Sequence, residues 1–130
     1  LGLEDGVLFM GGLPHAQVME QLAWADVLLH PAVSEGFCNA VMEAQAMQVP
    51  VVCTDADGLA ENISDGVSGF VVPRRNPQAL AQKLAVLAED GRLRQRMGTA
   101  GRERVLSHFR LSDLLDRFER FYHQVLHAAH

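Results

Sequence analysis

Four short apolar runs divide the first half of the chain. Each is about four residues long and is followed by glycine, proline or aspartate. Near-continuous apolar runs of this length are typical of strands buried on both faces of a parallel sheet. The pattern therefore predicts a Rossmann-like α/β fold, with about four parallel strands and helices on both faces. The predicted strands are residues 7–10, 27–30, 51–54 and 69–72.

Apolar residues recur at helical spacing between these strands and after the last of them. Segments 14–24 and 40–47 predict two helices, and segment 59–63 has room for about one helical turn. From Pro77 onward, amphipathic spacing predicts three further helices, and Gly98 and Gly101 are expected to bend or interrupt the middle one. The whole chain, 1–130, then forms part of one domain. Its strand-helix core covers about 5–75 and its C-terminal helices about 76–128.

Composition narrows the class of function. Apolar residues make up 48% of the chain, and 16 acidic against 11 basic side chains give a formal net charge of −5. A broad nucleic-acid surface is not expected, because phosphate affinity needs clustered excess cations. No apolar run approaches the ~20 residues of a membrane-spanning helix. Without a secretory signal or an initiator Met, the chain is interpreted as a piece of a cytoplasmic protein.

The two cysteines, Cys38 and Cys53, are not spaced like metal ligands. No C-x-x-C pair or neighbouring Cys/His pattern accompanies them, and the histidines do not pair at ligand spacing. The sequence therefore predicts buried free thiols, neither a disulfide framework nor a zinc site.

The stretch from Ser34 to Glu43 carries the candidate chemistry. It follows the second predicted strand and enters the next helix, and ligands of open α/β sheets bind outside the carboxyl ends of strands. Gly36 lets the chain bend closely, and the first helical turn is expected to leave backbone N–H groups free. These donors and the helix dipole predict a diphosphate site. The expected donors are Phe37, Cys38, Asn39 and Ala40.

Two glutamates flank this predicted anion site. Glu35 precedes the helix, and Glu43 lies inside it, at a rise of only ~6 Å from a helix start near Asn39. A carboxylate accepts hydrogen bonds from adjacent hydroxyls, as in a ribose or hexose, so both could hold the sugar ends of one extended ligand. Spacing alone leaves a structural explanation open, because glutamate near a helix start is favoured by the dipole.

Several motifs in order resemble family 4 retaining glycosyltransferases, over almost the whole chain. Glu35-Gly-Phe-Cys-Asn-Ala-Val-Met-Glu43 resembles the E-x7-E motif of that family. Residues 22–31 resemble its "A-D-V-x-x-x-P-S" strand, and 43–52 its "E-A-x-A-x-G-x-P-V-V" segment. Residues 65–73 resemble "D-G-x-x-G-x-L-V-P", and 94–104 resemble its terminal helices. The resemblance implies part of the C-terminal, donor-binding domain of a GT-B fold.

The resemblance also implies residue roles. The position of Glu35, the candidate catalytic residue, contacts donor-hexose hydroxyls, and that of Glu43 binds the ribose. Backbone amides from Gly36 to Ala40 hold the hexose and diphosphate. The loop containing Gly12, Leu13 and Pro14 is implied, more weakly, to lie near the base. No metal or other cofactor is required by such a scheme, in which the nucleotide sugar is the substrate.

Some positions depart from the family pattern. Asp57 and Ala60 replace a Gly and a Pro of "G-G-x-P-E", and Gln48 stands where Gly is usual, which suggests a less open turn. A carboxylate at Asp57 would be unfavourable beside a diphosphate unless it points away. Asp55-Ala-Asp57 is interpreted as a strand-end turn, and Arg74 and Arg75 as solvated loop cations.

The sequence therefore predicts the donor-binding half of an enzyme that moves a hexose from a UDP- or GDP-sugar, with retention, in glycan or polysaccharide biosynthesis. The fragment alone is expected to be inactive. Expected partners are the nucleotide sugar, a missing N-terminal acceptor-binding domain, and a glycan, lipid or small-molecule hydroxyl acceptor. A membrane surface on the inner face remains open for the intact protein. The alternative is a non-catalytic or degenerate nucleotide-sugar-binding module.

Overall fold

The computed structural model describes residues 2–128, and it has three strands and five α-helices in that part of the chain. A 3-10 helix, Asp57–Asn62, adds a short element between two of the strands. In chain order the other elements are α1 (His15–Trp24), β1 (Leu28–His30), α2 (Asn39–Ala46), β2 (Val51–Thr54), β3 (Gly69–Val72), α3 (Pro77–Glu89), α4 (Gly91–His108) and α5 (Leu111–Ala128).

The sheet is parallel, with the strand order β1-β2-β3. The predicted strand at 7–10 is wrong: this segment has no strand structure, and the side chains of Leu8 and Phe9 are 80% and 91% exposed. Its apolar character alone is insufficient, because a strand needs a hydrogen-bonded neighbour. No described strand pairs with it. The other three predicted strands are confirmed.

Helices cover both faces of this sheet, as the α/β pattern predicts. Val51 and Cys53 of β2 belong to a core cluster with residues of α1 and α2. Val52, between them, points to the opposite face and packs with Leu87 of α3 and Met97 of α4. Because successive strand residues point to opposite faces, one strand supplies both cores. Cys38 and Cys53 are buried free thiols, as predicted.

The helix α4 is continuous, so the expected interruption at Gly98 and Gly101 is wrong. These glycines serve close packing instead. A Cβ atom on Gly98 would collide with the carbonyl oxygen of Gln48, and one on Gly101 would lie 3.1 Å from Cγ of Gln45. The absence of both side chains therefore lets α4 lie directly against α2 and the turn that follows it.

The helix α5 carries a continuous apolar stripe that faces solvent. Its apolar residues recur every three or four positions, as on one face of a helix. They are Leu111, Leu114, Leu115, Phe118, Phe121, Tyr122, Val125 and Leu126, all at least 49% exposed. Within residues 2–128, no helix combines the length and apolar character needed to cross a bilayer.

Candidate functional site

The loop that joins β1 to α2 lies at the carboxyl end of the sheet and is tied to the 3-10 helix. The N–H of Gly58 donates to the carbonyl oxygen of Glu35 at 3.2 Å. A Cβ atom on Gly58 would lie 3.4 Å from the backbone of Gly36, so the two backbones approach closely. The hydroxyl of Thr54, at the end of β2, donates to the carbonyl oxygen of Ala32. The loop is therefore anchored at several points before α2 begins.

The N-terminus of α2 lacks the side-chain cap that α3 and α4 have. Asn76 and Asp90 cap those two helices by accepting hydrogen bonds from backbone N–H groups, whereas Cys38, the N-cap of α2, accepts none. One expected free donor is used: the N–H of Cys38 donates to Oδ1 of Asn62 at 3.2 Å, which corrects the prediction for that amide. Asn39 and Ala40 begin the helix in exposed positions.

Glu35 is held in place by two neighbours. Its Oε1 accepts a hydrogen bond from the N–H of Gly36 at 3.1 Å, and its Oε2 lies 3.2 Å from Nε2 of His30. The same Nε2 atom lies 3.5 Å from Sγ of Cys38. The Glu35 side chain is 33% exposed, so a ligand in solvent can still reach it.

Glu43 projects from α2 toward the start of α1. Its Oε1 lies 3.1 Å from Nε2 of His15, and its side chain is 30% exposed. His15 directly follows Gly12, Leu13 and Pro14, so the segment expected near the base leads to the partner of Glu43. Gly12 and Pro14 are exposed and Leu13 is half-buried. The roles assigned to these residues and to Glu43 stay predictions.

Arg74 joins the loop, the end of β2 and the 3-10 helix, so its interpretation as a solvated cation is wrong. Its guanidinium donates to Asp55 at 3.2 Å, to Asp57 at 3.1 Å and to the carbonyl oxygen of Val33 at 3.0 Å. The hydroxyl of Ser34 also donates to Asp57, at 2.7 Å. The charge of the Asp57 carboxylate is therefore partly compensated, because Asp57 shares the single positive charge of Arg74 with Asp55.

These contacts change the acidity of all three groups. The backbone N–H of Arg74, followed by its side chain, lowers the pKa of Asp55 below its ordinary value. The hydroxyl of Ser34, followed by Arg74, lowers the pKa of Asp57. Hydrogen bonds to Asp57 and Asp55 raise the pKa of Arg74. The network therefore remains fully charged at neutral pH.

A cavity of about 540 Å³ lies beside the start of α2, between α4 and α5. Phe37 and Asn39 line it together with Phe109, whose ring centroid is 5.5 Å from that of Phe37. Glu35 and Glu43 are not among its lining residues in the part of the chain that the structure describes. The Phe37 ring thus packs against Phe109 at this cavity, and the cavity is separate from the two candidate glutamates.

Sequence reasoning missed several residues that build the site. Asn62 is fully buried, and besides Cys38 it receives the side-chain amide of Gln45, which donates to its carbonyl oxygen at 2.9 Å. His30, His15 and Arg74 contact the candidate carboxylates or their loop. His30 carried a usable signal, since it is a polar residue at the end of an otherwise apolar strand.

The family model described as "Glycosyl transferases group 1" matches residues 1–104. The chain belongs to this glycosyltransferase family. Its parallel α/β fold matches part of the GT-B glycosyltransferases, as the sequence resemblance implied. The family assignment and the parallel α/β architecture are therefore confirmed together.

Individual proteins that resemble this chain in sequence or in structure agree with the family assignment. The capsular polysaccharide biosynthesis glycosyltransferase CapM of Staphylococcus aureus is 35% identical over 101 residues, which are 78% of this chain and 27% of that protein. Sucrose-phosphate synthase from Thermosynechococcus elongatus superposes on 97% of this chain and 32% of its own, with a TM-score of 0.88 and 28% identity. HepE of Anabaena, solved in complex with UDP-glucose, superposes on 95% of this chain and 34% of its own, with a TM-score of 0.86 and 24% identity.

The chain is short beside other members of the group 1 family. It spans 27%, 32% and 24% of the length of three curated relatives that it matches. The activity, substrates and partners of a whole protein of that length are therefore matters for proposal.

Proposed function

We propose that this chain is the donor-binding half of a retaining glycosyltransferase that moves a hexose from a UDP- or GDP-sugar to a hydroxyl acceptor. The relative CapM, named for capsular polysaccharide biosynthesis, supports a role in glycan or polysaccharide assembly. The UDP-glucose complex of HepE supports a nucleotide-sugar donor. The chain alone is proposed to bind the donor without transferring sugar, because acceptor binding is assigned to an upstream domain.

One observation carries this proposal: Glu35 and Glu43 lie on either side of the uncapped N-terminus of α2. Backbone N–H groups at a helix start favour an anion, and the helix dipole adds to that attraction. A carboxylate before the helix and another one turn inside it can accept hydrogen bonds from hydroxyls at the two ends of a nucleotide sugar. The arrangement therefore suits a ligand with a central diphosphate and a sugar on each side.

The proposed chemistry uses these groups differently. As the bond between hexose and diphosphate breaks, negative charge grows on the diphosphate, where the helix start and backbone amides would stabilise it. The leaving diphosphate would take the acceptor proton on the same face, which gives retention. Glu35, whose carboxylate is held by Gly36 and His30, would orient the hexose. It is not assigned as a covalent nucleophile. No metal ion is needed for this sequence of events.

Calorimetric titration with UDP and with GDP tests the donor site. We expect one nucleotide to bind, and we expect the Glu43→Ala variant to bind it at least ~10-fold more weakly, since a charged hydrogen-bond acceptor for the ribose is lost. Glu89→Ala is the matched control, because Glu89 is an exposed glutamate at the end of α3. Its affinity should equal that of the unmodified chain.

Nucleotide binding that Glu43→Ala leaves unchanged would contradict the assignment of the ribose site. Binding of neither nucleotide would mean that the chain needs its upstream half to hold a donor. Joining that half to the chain then separates the two functional alternatives. Sugar transfer or donor hydrolysis supports the enzyme, whereas binding alone supports a non-catalytic nucleotide-sugar module.

The apolar stripe of α5 is proposed to contact the upstream domain of the same protein. Stripes of this size are unusual on the free surface of a monomer. The chain by itself is therefore expected to self-associate, and joining the upstream half should make it monomeric in sedimentation velocity. Sedimentation with anionic vesicles at low salt tests the membrane alternative directly, because the free stripe should then bring the chain down with the lipid.

A further inference from the structure

Three potential metal-ligand atoms meet at the carboxyl end of β1. Nε2 of His30 lies 3.2 Å from Oε2 of Glu35 and 3.5 Å from Sγ of Cys38. All three ligand atoms lie within 4.8 Å of one another. Sequence spacing gave no sign of this cluster, because its members come from a strand end, a loop and a helix start. The fold therefore brings His30, Glu35 and Cys38 together, although the spacing of the cysteines predicted no metal site.

The chemistry of this set suits zinc. Imidazole, thiolate and carboxylate are the usual zinc ligands, at about 2.0–2.3 Å from the ion. Bonds of that length in a tetrahedron separate neighbouring ligand atoms by about 3.3–3.8 Å. The two measured separations from His30 are at or close to this range before any ion is present. A thiolate and a carboxylate would also balance the double positive charge of the ion.

The three residues are anchored, and two of them, His30 and Glu35, are partly exposed. His30 is in register with Cys53 of β2, the N–H of Cys38 is bound by Asn62, and the carbonyl oxygen of Glu35 is bound by Gly58. Little backbone movement is therefore needed to close the site. The side chains of His30 and Glu35 are 25% and 33% exposed, which leaves a path for an ion and room for a water or ligand in a fourth position.

The geometry points to a three-ligand Zn²⁺ site formed by His30, Glu35 and Cys38, whose occupation removes Glu35 from the donor hexose. Zinc is then an inhibitor of donor binding and takes no part in sugar transfer. The zinc site itself stands on the geometry alone. The effect on the donor rests on the role proposed above for Glu35.

Zinc titration of the reduced chain tests the site. His123 and His127 form an i,i+4 pair on α5 with ring centroids 6.4 Å apart, so the titration uses a His123→Gln, His127→Gln background to remove a competing surface site. We expect one Zn²⁺ to bind per chain. Cys38→Ala and His30→Gln should each weaken binding at least ~10-fold, the scale on which lost metal-site contacts act.

Cys53→Ala is the matched control for the thiol. Cys53 is fully buried and is not a member of the cluster formed by His30, Glu35 and Cys38. Zn²⁺ affinity should therefore be unchanged in this variant. Co²⁺ in place of Zn²⁺ should give a thiolate-to-metal absorption band that disappears in Cys38→Ala and persists in Cys53→Ala. Absence of stoichiometric Zn²⁺ binding, or binding that Cys38→Ala leaves intact, overturns the site.

A competition titration separates the zinc site from the proposed function. In a chain that binds donor, Zn²⁺ should weaken UDP-sugar or GDP-sugar binding more than binding of the free nucleotide, because only the sugar uses Glu35. If Zn²⁺ binds and both affinities stay the same, the inhibitory role is overturned together with the role of Glu35, while the metal site remains. If the donor binds and Zn²⁺ does not, the zinc inference alone fails.

Discussion

Nε2 of His15 lies 3.1 Å from Oε1 of Glu43, so the first residue of α1 is paired with the carboxylate expected to hold the ribose. His15 uses one carboxylate oxygen and leaves the other available. The pair is exposed, with 71% of the His15 side chain and 30% of the Glu43 side chain accessible. Exposed pairs of this kind contribute little energy to stability. We interpret His15 as a residue that positions Glu43.

Replacing His15 by Ala should therefore weaken nucleotide binding only modestly. A surface pair is worth up to about 1 kcal/mol, which corresponds to a loss of about fivefold or less. Calorimetry with the nucleotide that the chain binds measures this loss beside that of Glu43→Ala. His123→Ala, a change on the exposed face of α5, is the control. A loss as large as that of Glu43→Ala would mean that His15 contacts the ligand itself.

Gln48 has a φ angle of 63°, in the left-handed region that favours glycine. This explains the glycine that the resembling sequences place there, and it gives the departure at Gln48 a physical meaning. A left-handed conformation destabilises a residue with a Cβ atom by about 1–2 kcal/mol. Glycine avoids this cost, but it loses more conformational entropy on folding, which offsets about 0.5–1 kcal/mol of the gain. Gln48→Gly is therefore expected to raise the free energy of unfolding by up to about 1.5 kcal/mol.

Chemical denaturation measures this gain, and Gln82→Gly supplies the comparison. Gln82 is exposed inside α3, so glycine there should lower the free energy of unfolding by about 1 kcal/mol. The same substitution, Gln to Gly, should then raise the free energy of unfolding at position 48 and lower it at position 82. Equal destabilisation by both variants would show that the turn at Gln48 carries no strain.

The sequence predicted the elements that have a local signal and missed those that depend on distant partners. The strands at 27–30, 51–54 and 69–72 and the helices after Pro77 follow from apolar spacing. The segment 7–10 has the same spacing, yet a strand also needs a neighbour, which no local pattern specifies. Arg74 was misinterpreted for a similar reason. Its partners, Asp55 and Asp57, are 19 and 17 positions away.

In the candidate site, too, the residues with a local sequence signal were predicted and those that depend on distant partners were missed. Glu35 and Glu43 were found because they form a motif on one continuous segment. Cys38 and His30 meet across eight positions and two elements, and Asn62 reaches Cys38 from 24 positions away. Such contacts are set by how β1, α2 and the 3-10 helix pack, so the chain order of the residue types does not reveal them.

The lowered pKa values of Asp55 and Asp57 predict a loss of stability in acid. A carboxylate whose pKa is lower in the folded state stabilises the fold above its unfolded-state pKa, about 3.9 for Asp. This contribution is lost as the pH falls through the folded-state pKa, because the protonated groups no longer pair with Arg74 and Ser34. The free energy of unfolding should therefore fall as the pH drops below about 4.

A variant with both Asp55→Asn and Asp57→Asn should be less stable at pH 7 and should lose less further stability in acid. Denaturant titrations at neutral pH and at about pH 2–3 compare the two pH dependences. Asp5→Asn with Asp116→Asn removes two exposed carboxylates elsewhere and should leave the acid dependence nearly unchanged. Parallel curves for the unmodified chain and the Asp55, Asp57 variant would contradict a role of this network in acid stability.

The packing of α4 on the turn after α2 makes Gly98 intolerant of even one methyl group. A Cβ atom there would collide with the carbonyl oxygen of Gln48, and backbone cannot rotate away as a side chain can. Gly98→Ala should therefore destabilise the fold by about 1–3 kcal/mol, despite the better helix propensity of alanine. At Gly91, in the same helix, the nearest atom to a new Cβ would be Nη2 of Arg94 at 3.5 Å, an ordinary contact. Gly91→Ala should raise the free energy of unfolding by about 0.4–1 kcal/mol. Thermal unfolding should therefore show a lower Tm for Gly98→Ala and a higher Tm for Gly91→Ala. An unchanged or higher Tm for Gly98→Ala would mean that α4 lies further from the turn.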